Sequence, residues 1–98
     1  MNVAQFMQVP TPNPQWSRPI VALWYQGHGD WHGAHDALQD DDSQAGSWVH
    51  AHLHRAEGDA FNAAYWYRRA HQPVPPSTLS LEDEWQQLVD ALTTDIQS

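Results

Sequence analysis

The chain predicts an all-α, tetratricopeptide-like fold of two antiparallel helix hairpins closed by a C-terminal covering helix. Three observations carry that expectation. Apolar residues recur at spacings of three and four in successive segments, which places them on one face of a helix. A Gly-Asp pair at Gly29 and Asp30 returns at Gly58 and Asp59, an offset of 29 residues. Leu81, Trp85, Leu88, Val89, Leu92 and Ile96 form the cleanest apolar stripe, on a segment that needs something to pack on.

The elements follow in chain order. Residues 1–16 form a Pro-rich arm, because Pro10, Pro12 and Pro14 remove amide donors and bias the residues between them toward extended backbone. This arm is a linker, or a strap held down by Phe6 and Trp16. The rest, 17–98, is one helical-repeat domain with hairpins over about 17–39 and 44–70 and the covering helix over about 80–97. Ser17 can cap a first helix that accepts Pro19 in its first turn and aligns Ile20, Leu23, Trp24 and Gly27 on one face. It ends near His28, where Gly29 supplies a left-handed turn and Asp30 caps the next helix, roughly 31–39, which presents Ala34, Ala37 and Leu38.

Asp40, Asp41, Asp42 and Ser43 read as a solvated loop that sets negative charge at the N-terminus of a third helix, about 44–57. The loop lacks the alternating oxygen ligands of a calcium site. A fourth helix, about 60–70, is broken by the Pro-rich stretch 71–77. Ser80 and Asp83 suit a capping box for the last helix, and Glu82, Asp83 and Glu84 suit the positive end of its dipole.

Composition narrows the function classes. Twelve acidic residues against Arg18, Arg55, Arg68 and Arg69, with no lysine, give a net charge of −8, which repels phosphate backbones and anionic headgroups. Nucleic acid and membrane are therefore not expected partners. No cysteine means no disulfide, thiolate metal site or cysteine nucleophile. The N-terminus lacks a basic start and a signal-length apolar run, and no stretch approaches roughly 18 apolar residues, so a cytoplasmic location is expected.

The internal repeat pairs Gly29, Asp30 and Ala34 with Gly58, Asp59 and Ala63, and extends back to pair Ala22 with Ala51 and Trp24 with Leu53. Two hairpins that cannot bury their faces alone, followed by a covering helix, follow the logic of a short solenoid. The pattern of Ala51, Gly58, Asp59, Ala63, Tyr67, Ala70 and Pro75 resembles the tetratricopeptide repeat. The first unit supplies Ala22, Tyr25, Gly29, Asp30, Ala34 and Leu38, with Asp41 where the last small residue belongs. The period of 29 departs from the usual ~34. The chain also resembles a family of small, functionally uncharacterised bacterial and fungal proteins. The shared features are Gly29, Asp30, Trp31, Ala34 and His35, and the run from Trp48 to Ala70, which includes two of the three tyrosines and three of the four arginines. This second resemblance implies a helical fold and assigns no activity.

The third helix admits two registers. Hydrophobicity selects Ala45, Trp48, Val49, His52, Leu53 and Ala56 as its buried stripe, whereas the repeat turns His50, Ala51 and His54 toward the fourth helix. In the second register the imidazoles of His50 and His54 need partners, and Glu57, Asn62, Tyr65 and Tyr67 are the nearby candidates.

The candidate ligand or partner site is His35, His50, His54, Glu57, Asn62, Tyr65 and Arg69. Arg69 suits a carboxylate or phosphate, and a histidine can exchange protons. The same set can also be an internal hydrogen-bond network. His50 and His54 lie one turn apart, as do His28 and His32, but HExxH is absent and His52 points away from its two neighbours, so no metal and no cofactor are assigned. No serine, carboxylate pair or phosphate loop supports catalysis, and no catalytic residue is named. The leading expectation is a non-enzymatic interaction module for a protein or peptide partner, with self-association as an option. The alternative is a small-ligand or metal-binding protein, conceivably an enzyme, built on the His/Glu/Tyr/Arg cluster.

Overall fold

The computed structural model describes residues 2–94. Among them all regular structure is helical: α1 (Val3–Gln8), α2 (Arg18–Gly27), α3 (Trp31–Ala37), α4 (Gln44–Ala56), α5 (Ala60–Arg69) and α6 (Leu81–Thr93). The pairs α2/α3 and α4/α5 make the two most extensive helix contacts, and α6 packs on both α2 and α4. Ile96, assigned to the covering stripe, lies outside the described residues.

The turns of the two hairpins are copies in atomic detail. The amides of Asp30 and Asp59 donate to the carbonyls of Tyr25 and His54, both at 2.9 Å, while Gly29 and Gly58 donate to Gln26 and Arg55 at 3.0 and 3.1 Å. Gly29 has φ 80° and Gly58 φ 84°, the left-handed region that a Cβ disfavours. Asp30 then accepts from the Gly33 amide and Asp59 from the Asn62 amide, one satisfied N-cap each.

The main core joins Phe6, Ile20, Val21, Leu23, Leu38, Val49, Leu53, Trp85, Leu88 and Val89. A smaller cluster of Ala51, Ala63 and Tyr67 closes the second hairpin. At the α2/α6 crossing a Cβ on Gly27 would stand 2.5 Å from the Trp85 indole, so this glycine is required by close approach. Trp85 Nε1 donates to the Leu23 carbonyl at 2.9 Å, and Trp31 Nε1 to that of Leu53 at 2.8 Å.

Within the N-terminal arm, Asn2 and Gln5 form a reciprocal capping box that starts α1. Phe6 is fully buried and stacks on Trp16 at 5.2 Å, and Trp24 Nε1 ties down the Val9 carbonyl at 2.9 Å. The proline alternation at 10–14 gives no hint of this helix; the Asn2/Gln5 spacing does.

In the acidic loop, Asp41 is half-buried rather than fully solvated. Its Oδ1 accepts from the Ser43 amide at 2.9 Å, and its carboxylate covers Gly46, where a Cβ would come within 2.8 Å.

The two registers proposed for α4 turn out not to exclude each other. Val49, His52 and Leu53 are buried, as hydrophobicity requires, and His50 and Ala51 are buried, as the repeat requires, while His54 is only half-buried. The reason is position: α4 contacts α2, α3, α5 and α6, so nearly its whole circumference is covered.

Candidate functional site

Because α4 is surrounded, its polar side chains meet their neighbours on two sides, and the two sides differ. On the α6 side, the buried carboxylate of Glu84 gathers three donors. His52 Nδ1 lies 2.7 Å and Arg55 Nη1 3.1 Å from Oε1, and the Tyr67 hydroxyl donates to Oε2. Arg55 also donates to the Leu79 carbonyl, which fixes the loop before α6. Burial would push the Glu84 carboxyl up, but the hydrogen bonds from His52 and Tyr67 and the nearby positive charge outweigh it and hold the group below its usual range. Burial and the bond to Glu84 push the Tyr67 hydroxyl up, so it stays a donor.

None of these four residues belongs to the sequence-predicted site. The signal was available: Glu84 falls between Leu81 and Leu88 at helical spacing, an acid on the core face of α6, and His52 lies on the apolar stripe of α4. A buried acid at one such position implies a buried donor at another. His52 also lines an apolar cleft of about 370 Å³ with Met7, Gly27, Leu81 and Trp85. A carboxylate-oriented histidine is the geometry of a general base, yet none of the cleft's lining residues carries a hydroxyl or thiol nucleophile.

On the α3/α5 side, His50 and His54 from α4 meet His35 from the last turn of α3. The His50 and His54 rings are nearly parallel, 6.1 Å apart with an 11° interplanar angle. The His35 ring stands 5.2 Å from His50 and 5.9 Å from His54, at steep angles of 76° and 81°. Trp31 stacks on His35 at 5.0 Å and Trp66 on His50 at 4.2 Å, so an indole backs each of two rings.

Unlike His52, His50 finds no carboxylate among the described residues: its Nδ1 is buried without a hydrogen-bond partner there, and the residue is only 6% exposed. Burial first, then the neighbouring His35 and His54, lower its pKa to about 4 from 6.5. None of the four partners foreseen for the two imidazoles reaches His50. Glu57 Oε1 instead lies 2.7 Å from His54 Nδ1, Tyr67 serves Glu84, and Asn62 donates its side-chain amide to Asp59 at 2.7 Å. The two Asn62 bonds, backbone then side chain, hold the Asp59 carboxyl below its usual range.

Of the seven candidate residues, then, the fold brings His35, His50, His54 and Glu57 together and leaves Asn62 as part of a helix cap. Arg69 reaches Tyr65 Oη at 3.2 Å and lies over the Trp66 ring at 5.2 Å. With His35, His50, Trp66 and the loop Asp40–Asp42, it lines a cleft of about 500 Å³.

The outer face of α5 is a third feature. Phe61 is 87% exposed and Tyr65, one turn on, 44%. Arg68 and Arg69 extend that face, and among the described residues neither pairs with a carboxylate. No helix of the described residues is long and apolar enough to cross a membrane.

No protein-family model, curated protein or solved structure matches this chain.

Proposed function

We propose that the protein is a small tetratricopeptide-like interaction module whose working surface is the outer face of α5, and that this surface takes an acidic protein or peptide segment. One observation carries the reading. Phe61 and Tyr65 stand exposed one turn apart, continued by Arg68 and Arg69, on a chain of net charge −8. Exposed aromatics beside arginines are the residue types that dominate binding hot spots, and the cationic rim selects a negatively charged partner. The duplicated Gly-Asp turn supports the repeat reading, because both hairpins reverse through the same hydrogen bonds and the same left-handed glycine.

Fluorescence anisotropy with glutamate-rich peptides bearing a leucine or phenylalanine anchor tests the surface. Binding is expected to weaken as salt rises. It is also expected to fall at least about tenfold in Phe61→Ser and in the Arg68→Gln/Arg69→Gln double variant, with melting temperature unchanged. Peptide binding that ignores both substitutions, or no binding across the panel, rejects this face. Concentration-dependent dimerisation that is lost in Phe61→Ser would make a second copy of the chain the occupant instead.

A further inference from the structure

The unbonded imidazole of His50 lies within a group of three histidines, and that coincidence points beyond peptide binding. We propose that His35, His50 and His54 form a binding site for a divalent transition-metal ion of the zinc class, with Glu57 orienting His54 from behind.

The ring arrangement is the first support. Three imidazoles sharing one tetrahedral ion at a metal–nitrogen distance of about 2.0–2.1 Å hold their ring centroids roughly 5 to 5.5 Å apart. The three separations here are 5.2, 5.9 and 6.1 Å. His50 and His54 are one helical turn apart, and His35 meets both from α3, so the set is not confined to one face of one helix.

The second support lies behind the rings. The bond between His54 Nδ1 and Glu57 Oε1 fixes one tautomer and leaves Nε2 with its lone pair free, the carboxylate–histidine arrangement that accompanies metal ligands. Trp31 and Trp66 stack on His35 and His50 and back those two rings with apolar surface. Third, His50 Nδ1 is buried with no hydrogen-bond partner among the described residues, an unfavourable state for a polar atom. Coordination through Nδ1 would give this atom the partner that no side chain of the described residues supplies.

The ligand set also selects its ion. All-imidazole coordination suits zinc, copper, nickel and cobalt, and disfavours magnesium and calcium, which require oxygen ligands. Three protein ligands leave a fourth position open, and the 500 Å³ cleft lined by His35, His50 and Arg69 gives it access.

A competing donor group exists. Among the described residues, the set whose ligand atoms already lie within 4.8 Å of one another is His54, Glu57 and Asp59. Its carboxylates are engaged: Asp59 holds Asn62 through both oxygens, and Glu57 Oε1 holds His54. The ligand atoms of the histidine triad do not all lie within 4.8 Å of one another, so an ion there would draw the three rings inward.

Calorimetry with zinc alone on the chelator-treated full chain, and visible absorption with cobalt(II), distinguish the two sets. One ion per chain and a tetrahedral cobalt spectrum are expected. His35→Gln and His54→Gln should each weaken zinc binding by more than about 100-fold, above the 10- to 100-fold loss expected when Glu57→Gln removes the orienting carboxylate. Asp59→Asn should change it little. Circular dichroism confirms that each variant folds, and His35, only half-buried, is the variant least exposed to folding failure. No binding of either ion overturns the site. Wild-type affinity in His35→Gln, or loss in Asp59→Asn, overturns the triad in favour of the surface group.

Discussion

His50 and His52 sit two residues apart on the same helix, both buried, and end in opposite circumstances. His52 faces α6 and meets Glu84, which also collects Arg55 and Tyr67, so a buried charge is surrounded by donors and three helices are tied at one point. His50 faces α3 and α5 and meets two more imidazoles and an indole, with no acceptor or donor for its Nδ1 among the described residues. A saturated polar cluster is accounted for by folding alone. An unsaturated one carries a cost that folding alone leaves unexplained, and it is there that a ligand reading gains weight.

The largest effect that could break this contrast is at Glu84. Glu84→Ala strands His52 and Arg55 and should destabilise the protein by about 3–5 kcal/mol in urea unfolding, because it breaks a buried ionic network from its centre. A loss under about 1 kcal/mol would mean that the cluster is not the tie it resembles. Next come the two histidines themselves. His52→Leu leaves Glu84 one donor short and should cost about 1–3 kcal/mol, whereas His50→Leu removes an orphan and should be neutral or stabilising, both measured in the presence of chelator. Equal costs would erase the distinction.

Acid titration sharpens it further. His50 binds its proton only near pH 4 when folded but at 6.5 when unfolded, so between those values the unfolded chain takes up the extra proton. Stability should therefore decline as pH falls through that window, and His50→Leu should flatten the decline. His35, His54, Asp41 and Arg69 are the neighbouring charged or titratable groups that act on His50. The contribution of Glu84 has the opposite origin. Its depressed pKa stabilises the fold above the ordinary carboxyl range and is lost as pH falls through the folded value, so Glu84→Gln should alter only the more acidic limb. Smallest of all, Phe61→Ser should move unfolding by no more than about 0.5 kcal/mol, since its ring touches solvent rather than core.

The helices were legible because their punctuation is chemical: Asp30 and Ser80 each cap the helix that the sequence assigns to them and Asp59 repeats Asp30, although Ser17 makes no side-chain cap. The grouping of His35, His50, His54 and Glu57 was legible too, since α3 and α4 follow from the turns and spacing does the rest. Three things were not. The helix α1 was masked by the prolines behind it, although Asn2 and Gln5 announced its start. Glu84 was read as a helix-dipole charge because three acids in a row suggest a solvated face, while only its phase against Leu81 and Leu88 marks it as internal. The α4 register looked like a choice because a single stripe was assumed, and a helix packed on four others has no exposed side to set against it.

α1 has one further consequence. Six residues are too few to hold helical structure unaided, so this segment is ordered only while Phe6 has its socket between Trp16 and Trp85. Its amides are therefore a built-in gauge of whether that end of the core is closed. In hydrogen exchange they should lose protection together with the contact between α2 and α6 and ahead of α4, which would mark the N-terminal end as the first region to open and the central helix as the last.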